Sequence, residues 1–302
     1  MNVAGLAFGD WMKHIQSTME EALSALLPAA ADVPERLHDA MRYAVLDGGK
    51  RVRPLLVFAA GDLFDADADL LARAAAAVEM IHAYSLVHDD MPCMDDDALR
   101  RGKPTVHVKY DEATALLVGD ALQSQAFIVL SEGAVEAGAD TQRRLAMFRL
   151  LARASGSAGM CGGQAIDLAS VGKALSLADL EHMHQLKTGA LLHASVLLGA
   201  LAGKSLTQEE NAALDAYAAA TGLAFQVVDD VLDATADSVT LGKTAGKDAA
   251  DNKPTYVSIL GLEESRTLAE TLRNDAHRAL EPFGEKARRL REIADLIVQR
   301  KA

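Results

Sequence analysis

An all-α fold in one domain, spanning residues 1–302, is what this sequence predicts, and three observations predict it. Ala and Leu abound, aromatic residues make up only 4% and there are 7 prolines, a composition that favours helices over a β-sandwich. Apolar residues recur at spacings of three and four along most of the chain. No alternating strand and no hairpin signal stands out.

The elements follow in order. Leu70, Ala74, Val78, Ile81 and Ser85 keep the helical spacing and lead into Asp89. A second long apolar helix is predicted from Ala113 to Val135, interrupted at Gly119-Asp120. Leu177 to Leu201 and Asn211 to Leu232 read the same way, and Glu264 to Arg300 reads as two amphipathic helices broken near Pro282–Gly284. Loops are expected at Asp47–Pro54, Pro92–Thr105, Gly156–Gly163 and Ala234–Pro254. Composition does not change across them, so none reads as a linker between domains.

Half of the 302 residues are hydrophobic, enough for a substantial core. The net charge of −13 argues against nucleic acid as a partner, because phosphate backbones call for clustered Lys and Arg. Cys93 and Cys161 give neither a disulfide framework nor a zinc pattern. The first residues lack a basic stretch followed by a sustained apolar run, and no run reaches roughly 18 uninterrupted apolar residues. The expectation is a cytoplasmic protein without a membrane span.

Two acidic clusters dominate the chemistry. His88-Asp89-Asp90-Met91-Pro92-Cys93-Met94-Asp95-Asp96-Asp97 and Val228-Asp229-Asp230-Val231-Leu232-Asp233 each end a long apolar stretch. Carboxylates packed this densely repel one another and resist burial, unless hard cations sit among them. Oxygen-only ligands point to Mg²⁺ rather than zinc, and Mg²⁺ usually completes its shell with substrate phosphate oxygens. Asp229 and Asp233, four apart, share a helix face with Gln226 and Phe225. Asp89 and Asp95 are six apart, about 600° of helical rotation, and Pro92 lies between them. Asp89 should therefore end a helix and Asp95 should return from an irregular turn.

Cations concentrate beside these clusters, although the protein is acidic. They lie in Gly48-Gly49-Lys50-Arg51-Val52-Arg53-Pro54, in Arg100-Arg101-Gly102-Lys103-Pro104, and in Leu241-Gly242-Lys243-Thr244-Ala245-Gly246-Lys247-Asp248. Arg suits bidentate phosphate recognition and Lys supplies a compact charge. His82 lies seven residues before Asp89 and so at nearly its azimuth, two turns away.

At these residues the chain resembles the trans-isoprenyl diphosphate synthases. The basic loop, the first Asp-rich motif with Arg100–Thr105, the Gly-Gly-Gln-x-x-Asp segment at Gly162 to Asp167, Lys187-Thr188-Gly189, Phe225 to Asp233 and the Gly242–Asp248 loop occur in family order. The two extra residues inside the first motif, and Tyr84 five positions before it, resemble the bacterial farnesyl diphosphate synthases. The resemblance implies a helical bundle around a deep cavity, usually a homodimer, and a Mg²⁺-dependent prenyltransferase. Asp89, Asp95 and Asp229 would hold three Mg²⁺ on the allylic diphosphate, with Asp90 and Asp233 acting through water. Arg100, Lys187, Thr188, Gln226, Lys243 and Lys253 would contact that diphosphate. Asp89, Asp90, Asp95, Lys187, Asp229 and Asp230 would form the catalytic set. Isopentenyl diphosphate would rest without metal on Lys50, Arg53, His82 and Arg101. Tyr84 would limit product length, although helix geometry alone leaves Ser85 open as well: it lies about 40° from the Asp89 azimuth, against about 140° for Tyr84. Lys247 and Asp248 could equally pin their loop, and Gly162–Asp167 could serve packing as much as binding. Geranyl or geranylgeranyl diphosphate synthases are the nearest alternatives. A class I terpene cyclase is a poorer fit, because its second metal site combines Asn/Asp, Ser/Thr and Glu.

Overall fold

The computed structural model describes residues 5–133, 139–173, 175–235 and 254–300. The all-α expectation holds. The helices are α1 (Phe8–Leu26), α2 (Glu35–Val45), α3 (Val52–Asp62), α4 (Ala68–Asp89), α5 (Val106–Lys109), α6 (Glu112–Ser131), α7 (Ala139–Ser155), α8 (Met160–Ser170), α9 (Leu177–His184), α10 (Ala190–Gly203), α11 (Gln208–Thr235), α12 (Tyr256–Leu260), α13 (Leu262–Ala279) and α14 (Arg288–Gln299). A π-helical turn, Gln185–Gly189, joins α9 to α10, and a 3₁₀ segment, Glu281–Ala287, joins α13 to α14. Backbone contacts divide the chain into two compact units: Met1–Phe148 with Leu198–Lys204, and Arg149–Leu197 with Ser205–Ala302.

In the first unit α4 is the central element. Asp67 caps it by accepting the Leu70 N–H at 2.9 Å. Leu70, Leu71 and the whole run Ala74–Ile81 are buried, and the small Ala74–Ala77 stretch lets α3 and α6 approach closely. α1 turns Trp11, Ile15, Met19 and Leu23 inward at a strict spacing of four. Arg51, in the left-handed region at φ 53°, precedes α3. Its buried guanidinium donates to Glu79 at 2.7 Å, Glu20 at 3.0 Å and the Val45 carbonyl at 2.7 Å, which holds the strained backbone in place.

Two sequence expectations are corrected here. β1 (Leu99–Arg100) and β2 (Lys103–Pro104) form a two-residue hairpin that no alternation could announce. Its turn places Arg101 and Gly102 at φ 52° and 74°, the paired positive values of a tight hairpin turn. α6 runs through Gly119-Asp120 without interruption, because packing on its Gly119 side outweighs the intrinsic cost of a helical glycine, about 1 kcal/mol. Among the described residues three helical stretches, Ala68–Asp89, Glu112–Ser131 and Leu177–Gly203, are long and apolar enough to cross a membrane. Most of the α4 stretch is buried, against less than half of the α6 stretch.

The second unit is organised on α11. Val227 and Val228 pack with Leu180, Met183, Tyr256 and Ala269, and Leu232, Leu268 and Leu272 border that cluster. Tyr217 donates its hydroxyl to the Leu290 carbonyl at 2.7 Å, tying α11 to α14. The break expected near Pro282–Gly284 is present, with Gly284 at φ 55°.

Candidate active site

The first acidic cluster begins where α4 stops. α4 ends at Asp89 and Pro92 follows, so the helix cannot continue. The chain curls back instead: the Asp95 N–H donates to the Asp89 carbonyl at 2.8 Å, and the Asp96 and Asp97 N–H groups donate to Met91 and Asp90 carbonyls. This is the irregular turn that the 600° argument calls for. It brings Asp89 and Asp95 together, with both side chains partly exposed. Asp90 behaves differently. It is 3% exposed and receives a forked interaction from Arg100, at 2.8 and 2.9 Å from Nε and 2.5 Å from Nη2. Burial pushes its carboxyl above the usual range against the pull of Arg100. Asp90 thus aims Arg100 rather than facing solvent.

His82 lies one face of α4 back from this turn. Burial drives its pKa well below the ordinary value, and the charges of Arg53, Arg101, Arg100 and Arg51 act in the same direction. A neutral imidazole among guanidiniums marks a pool of positive potential that carries four of the predicted anion-binding residues: Arg53, His82, Arg100 and Arg101. Arg101 donates to the Gly48 carbonyl at 3.2 Å, joining the hairpin to the Gly48-Gly49 loop, and Lys50 of that loop is exposed. A pocket of about 180 Å³ opens there, and Gly48, Gly49, Arg100, Arg101 and Lys103 are among its lining residues. Tyr84 is buried at the α4–α6 contact, edge-on to His88.

In the second unit α11 carries Asp229, Asp230 and Asp233 without a break. Asp229 is the most exposed of the three. Its carboxylate is paired with Arg300, whose guanidinium also donates to the Phe225 carbonyl at 2.9 Å and stacks 4.0 Å over the Phe225 ring. Asp233 is buried. Asp230 is 4% exposed and accepts from Gln226 Nε2 at 3.1 Å and from the Tyr256 N–H at 2.8 Å, so it fixes the start of α12. The Thr188 hydroxyl in turn donates to Gln226 Oε1 at 3.2 Å.

Lys187 and Thr188 stand on the π-helical turn, a local unwinding of the kind often found at functional sites. Lys187 Nζ lies 2.5 Å from Asp167 Oδ2. A Cβ on Gly163 would fall 2.1 Å from the Lys187 backbone nitrogen, so only glycine lets α8 approach this turn. These two contacts account for the Gly-Gly-Gln-x-x-Asp segment: it seats and orients Lys187. A pocket of about 90 Å³ is lined by Asp167, His184, Lys187, Gln226, Asp230 and Thr255 among others. His184 is buried there against Tyr256, and burial lowers its pKa to about 4.

Lys243, Lys247, Asp248 and Lys253 lie outside the described residues. Sequence reasoning missed Arg300 and left the role of Asp167 open. The second was legible from its place four residues after Gly163; Arg300 lies 71 positions from Asp229 with no local signal. Among the described residues no three His, Cys, Asp or Glu side chains converge tightly enough to hold a metal by themselves. That donor set fits Mg²⁺, which takes one or two carboxylates and completes its shell with water and phosphate oxygens, and does not fit a structural zinc.

The chain is 52% identical over 286 residues to a probable farnesyl diphosphate synthase of Bradyrhizobium diazoefficiens, covering 94% of this chain and 85% of the relative. It is 46% identical over 297 residues to the farnesyl diphosphate synthase of Escherichia coli, covering 96% and 99%. Among solved structures, an FPP/GFPP synthase of Zymomonas mobilis superposes with a TM-score of 0.86 at 44% identity, over 96% of this chain and 98% of that one. A geranyltransferase of Helicobacter pylori, complexed with magnesium and isoprenyl diphosphate, gives 0.80 at 34% identity over 95% of both chains. The family model for polyprenyl synthetase matches residues 34–290, and the chain belongs to that family.

Proposed function

We propose that residues 1–302 act as one prenyltransferase domain. It condenses isopentenyl diphosphate head to tail (1′-4) with dimethylallyl and then geranyl diphosphate, giving (2E,6E)-farnesyl diphosphate. The observation that carries this reading is the shared layout of the two Asp motifs: each keeps a partly exposed carboxylate, Asp89 in the first and Asp229 in the second, near an oriented cation, in a chain so similar to farnesyl diphosphate synthases.

Asp89, Asp95, Asp229 and Asp233 are the carboxylates that take Mg²⁺, three ions per site. When bound, these ions supply the charge that lets an allylic diphosphate leave. The protein's own part is orientation. Asp90 holds Arg100 and Asp167 holds Lys187, so both cations meet a diphosphate without first reorganising. Thr188 and Gln226, with Lys243 and Lys253, complete the allylic diphosphate contacts. Lys50, Arg53, neutral His82 and Arg101 receive isopentenyl diphosphate. The apolar helix faces exclude water from the cationic intermediate. No side chain here is an obvious general base, so the departed diphosphate takes the proton. Tyr84 forms the floor that stops growth at fifteen carbons.

The exposed apolar residues Leu116, Leu117 and Ile128 of α6 and Leu145 of α7 support a homodimer through this face. Cys93 and Cys161 form no disulfide, which suits a reducing cytoplasm.

The test is chromatographic identification of product from isopentenyl and dimethylallyl diphosphates, with Mg²⁺ and with chelator. A fifteen-carbon diphosphate made only with metal is expected. Turnover in full chelation would refute the metal assignment, and a ten- or twenty-carbon product would make the chain a geranyl or geranylgeranyl diphosphate synthase.

A further inference from the structure

α4 and α6 meet at a point where one residue takes the space of another. A Cβ built on Gly119 would lie 1.9 Å from Nε2 of His88 and 2.5 Å from its Cδ2 and Cε1. No side chain, not even a methyl, can share that space, so the imidazole occupies a notch in α6 that only glycine provides. Inside the notch His88 Nε2 lies 3.1 Å from the Leu116 carbonyl and donates to it. One edge of the ring is thus anchored to the α6 backbone. The ring also stands against Tyr84, centroids 5.9 Å apart and planes at 77°, an edge-to-face pair one helical turn along α4. Tyr84 is 5% exposed. A fixed line therefore runs from α6 backbone to His88 to Tyr84, within one unit of the fold.

We propose that His88, seated in the Gly119 notch, is a positioning residue for Tyr84 and through it sets product length. This rests on the reading of Tyr84 as the floor of the chain-length cavity. A floor works only if it stays in place while a growing apolar tail presses on it. Tyr84 has two side-chain torsions, and the His88 ring adds a fixed wall against them because its own orientation is set twice, by the notch and by the hydrogen bond. The residue type follows from these demands: a flat ring thin enough for the notch, with an N–H at its far end. An aliphatic side chain would fill the notch without the anchor.

The experiment measures the ratio of twenty- to fifteen-carbon product, with isopentenyl diphosphate in excess over geranyl diphosphate. The twenty-carbon product forms from the fifteen-carbon one, so the ratios are compared at equal consumption of geranyl diphosphate, where a loss of active protein does not move them. The variants are Tyr84→Ala, His88→Ala, Gly119→Ala and the double variant His88→Ala/Gly119→Ala. Tyr84→Ala is expected to raise the ratio most. His88→Ala should raise it by roughly twofold to tenfold, the range one aromatic edge contact controls. Gly119→Ala should shift the ratio in the wild-type background, by expelling the ring, and leave it unchanged in His88→Ala, where the new methyl enters vacated space. Unchanged ratios in His88→Ala and Gly119→Ala, with a raised ratio in Tyr84→Ala, would overturn the proposal and leave the floor standing. An unchanged ratio in Tyr84→Ala would overturn both. If His88→Ala does not fold, the ratio of Gly119→Ala against wild type decides alone.

Discussion

The two acidic motifs solve one electrostatic problem with different backbones. The first lies on a helix end that Pro92 breaks, and it regains its compactness through the Asp95 N–H to Asp89 carbonyl bond. The second lies inside α11, where the i, i+4 spacing alone aligns Asp229 with Asp233. Yet both divide labour between adjacent carboxylates in the same way. Asp89 and Asp229 stay partly exposed, whereas Asp90 and Asp230 turn inward and hold other groups. The difference lies in what they hold: a guanidinium in the first motif, an amide and a backbone N–H in the second. Each doubled Asp thus leaves one carboxylate partly open and commits the other to a structural contact.

The sharpest break in this comparison comes from the outward members. Asp89→Ala and Asp229→Ala are each expected to cut turnover by about a thousandfold, the equivalent of about 4 kcal/mol of transition-state stabilisation. The midpoint of Asp89→Ala should stay near wild type, whereas Asp229→Ala also strands the buried Arg300 guanidinium and should unfold somewhat earlier while remaining folded at assay temperature. Turnover within tenfold of wild type, from folded protein, would remove that residue from the metal set.

Their inward neighbours should fail by a different route. Asp90→Ala leaves the Arg100 guanidinium without its buried partner and should cost on the order of 3 kcal/mol of stability. Asp230→Ala strands the Gln226 amide and the Tyr256 N–H, both neutral, and about 2 kcal/mol is expected. Denaturant unfolding of the two variants measures the gap. The two carboxylates are equally buried, so a larger loss at Asp230 would show that the stranded neutral donors, not the stranded charge, set the penalty.

Each unit also keeps one neutral imidazole, His82 in the first and His184 in the second. For His184 the consequence for pH can be worked out. Its ordinary value is near 6.5 and its folded value is about 4. Between these the unfolded chain takes up a proton that the folded chain refuses, so stability falls as pH drops. From about pH 7 to pH 5 the loss from this residue should be on the order of 2 kcal/mol. His184→Gln should flatten the pH dependence of unfolding by that amount, and an unchanged slope would mean that the imidazole titrates alike in the folded and unfolded states.

How much of this was legible in the sequence depended on the distance over which each feature is determined. The Asp89 turn and the Asp229/Asp233 face follow from local angles and Pro92, and both could be read. Gly119 read as an interruption because its reason is His88, 31 positions earlier in the chain and across a helix contact. Arg51 stood in a loop that looked uniformly basic, but it is buried on Glu79, 28 residues away. The hairpin at Leu99–Pro104 was too short to alternate. Asp230 and Asp167 sat in recognisable motifs, yet which carboxylates turn inward is decided by tertiary partners.

Arg300 offers the finest test of the comparison, because it sets a guanidinium directly on the outward Asp of the second motif. Its guanidinium pairs with the Asp229 carboxylate while its other contacts, the Phe225 carbonyl and ring, lie on the same face of α11. A ligand that is already neutralised must give up that pairing, at least in part, when a divalent cation arrives. The pair therefore raises the metal concentration needed to fill the second motif and leaves the first untouched. Asp229 is partly exposed, so the competition is screened and should amount to about 1 kcal/mol, or about fivefold in affinity. Arg300→Ala is accordingly expected to lower the Mg²⁺ concentration for half-maximal turnover by about fivefold. Arg300→Lys, which keeps a charge but not the fork or the stacking, should fall between. Titration of turnover against Mg²⁺ at saturating substrate checks this. If Arg300→Ala instead needs more metal, the guanidinium helps to seat Asp229 for the cation, and the two motifs would be alike in using an arginine as an aid.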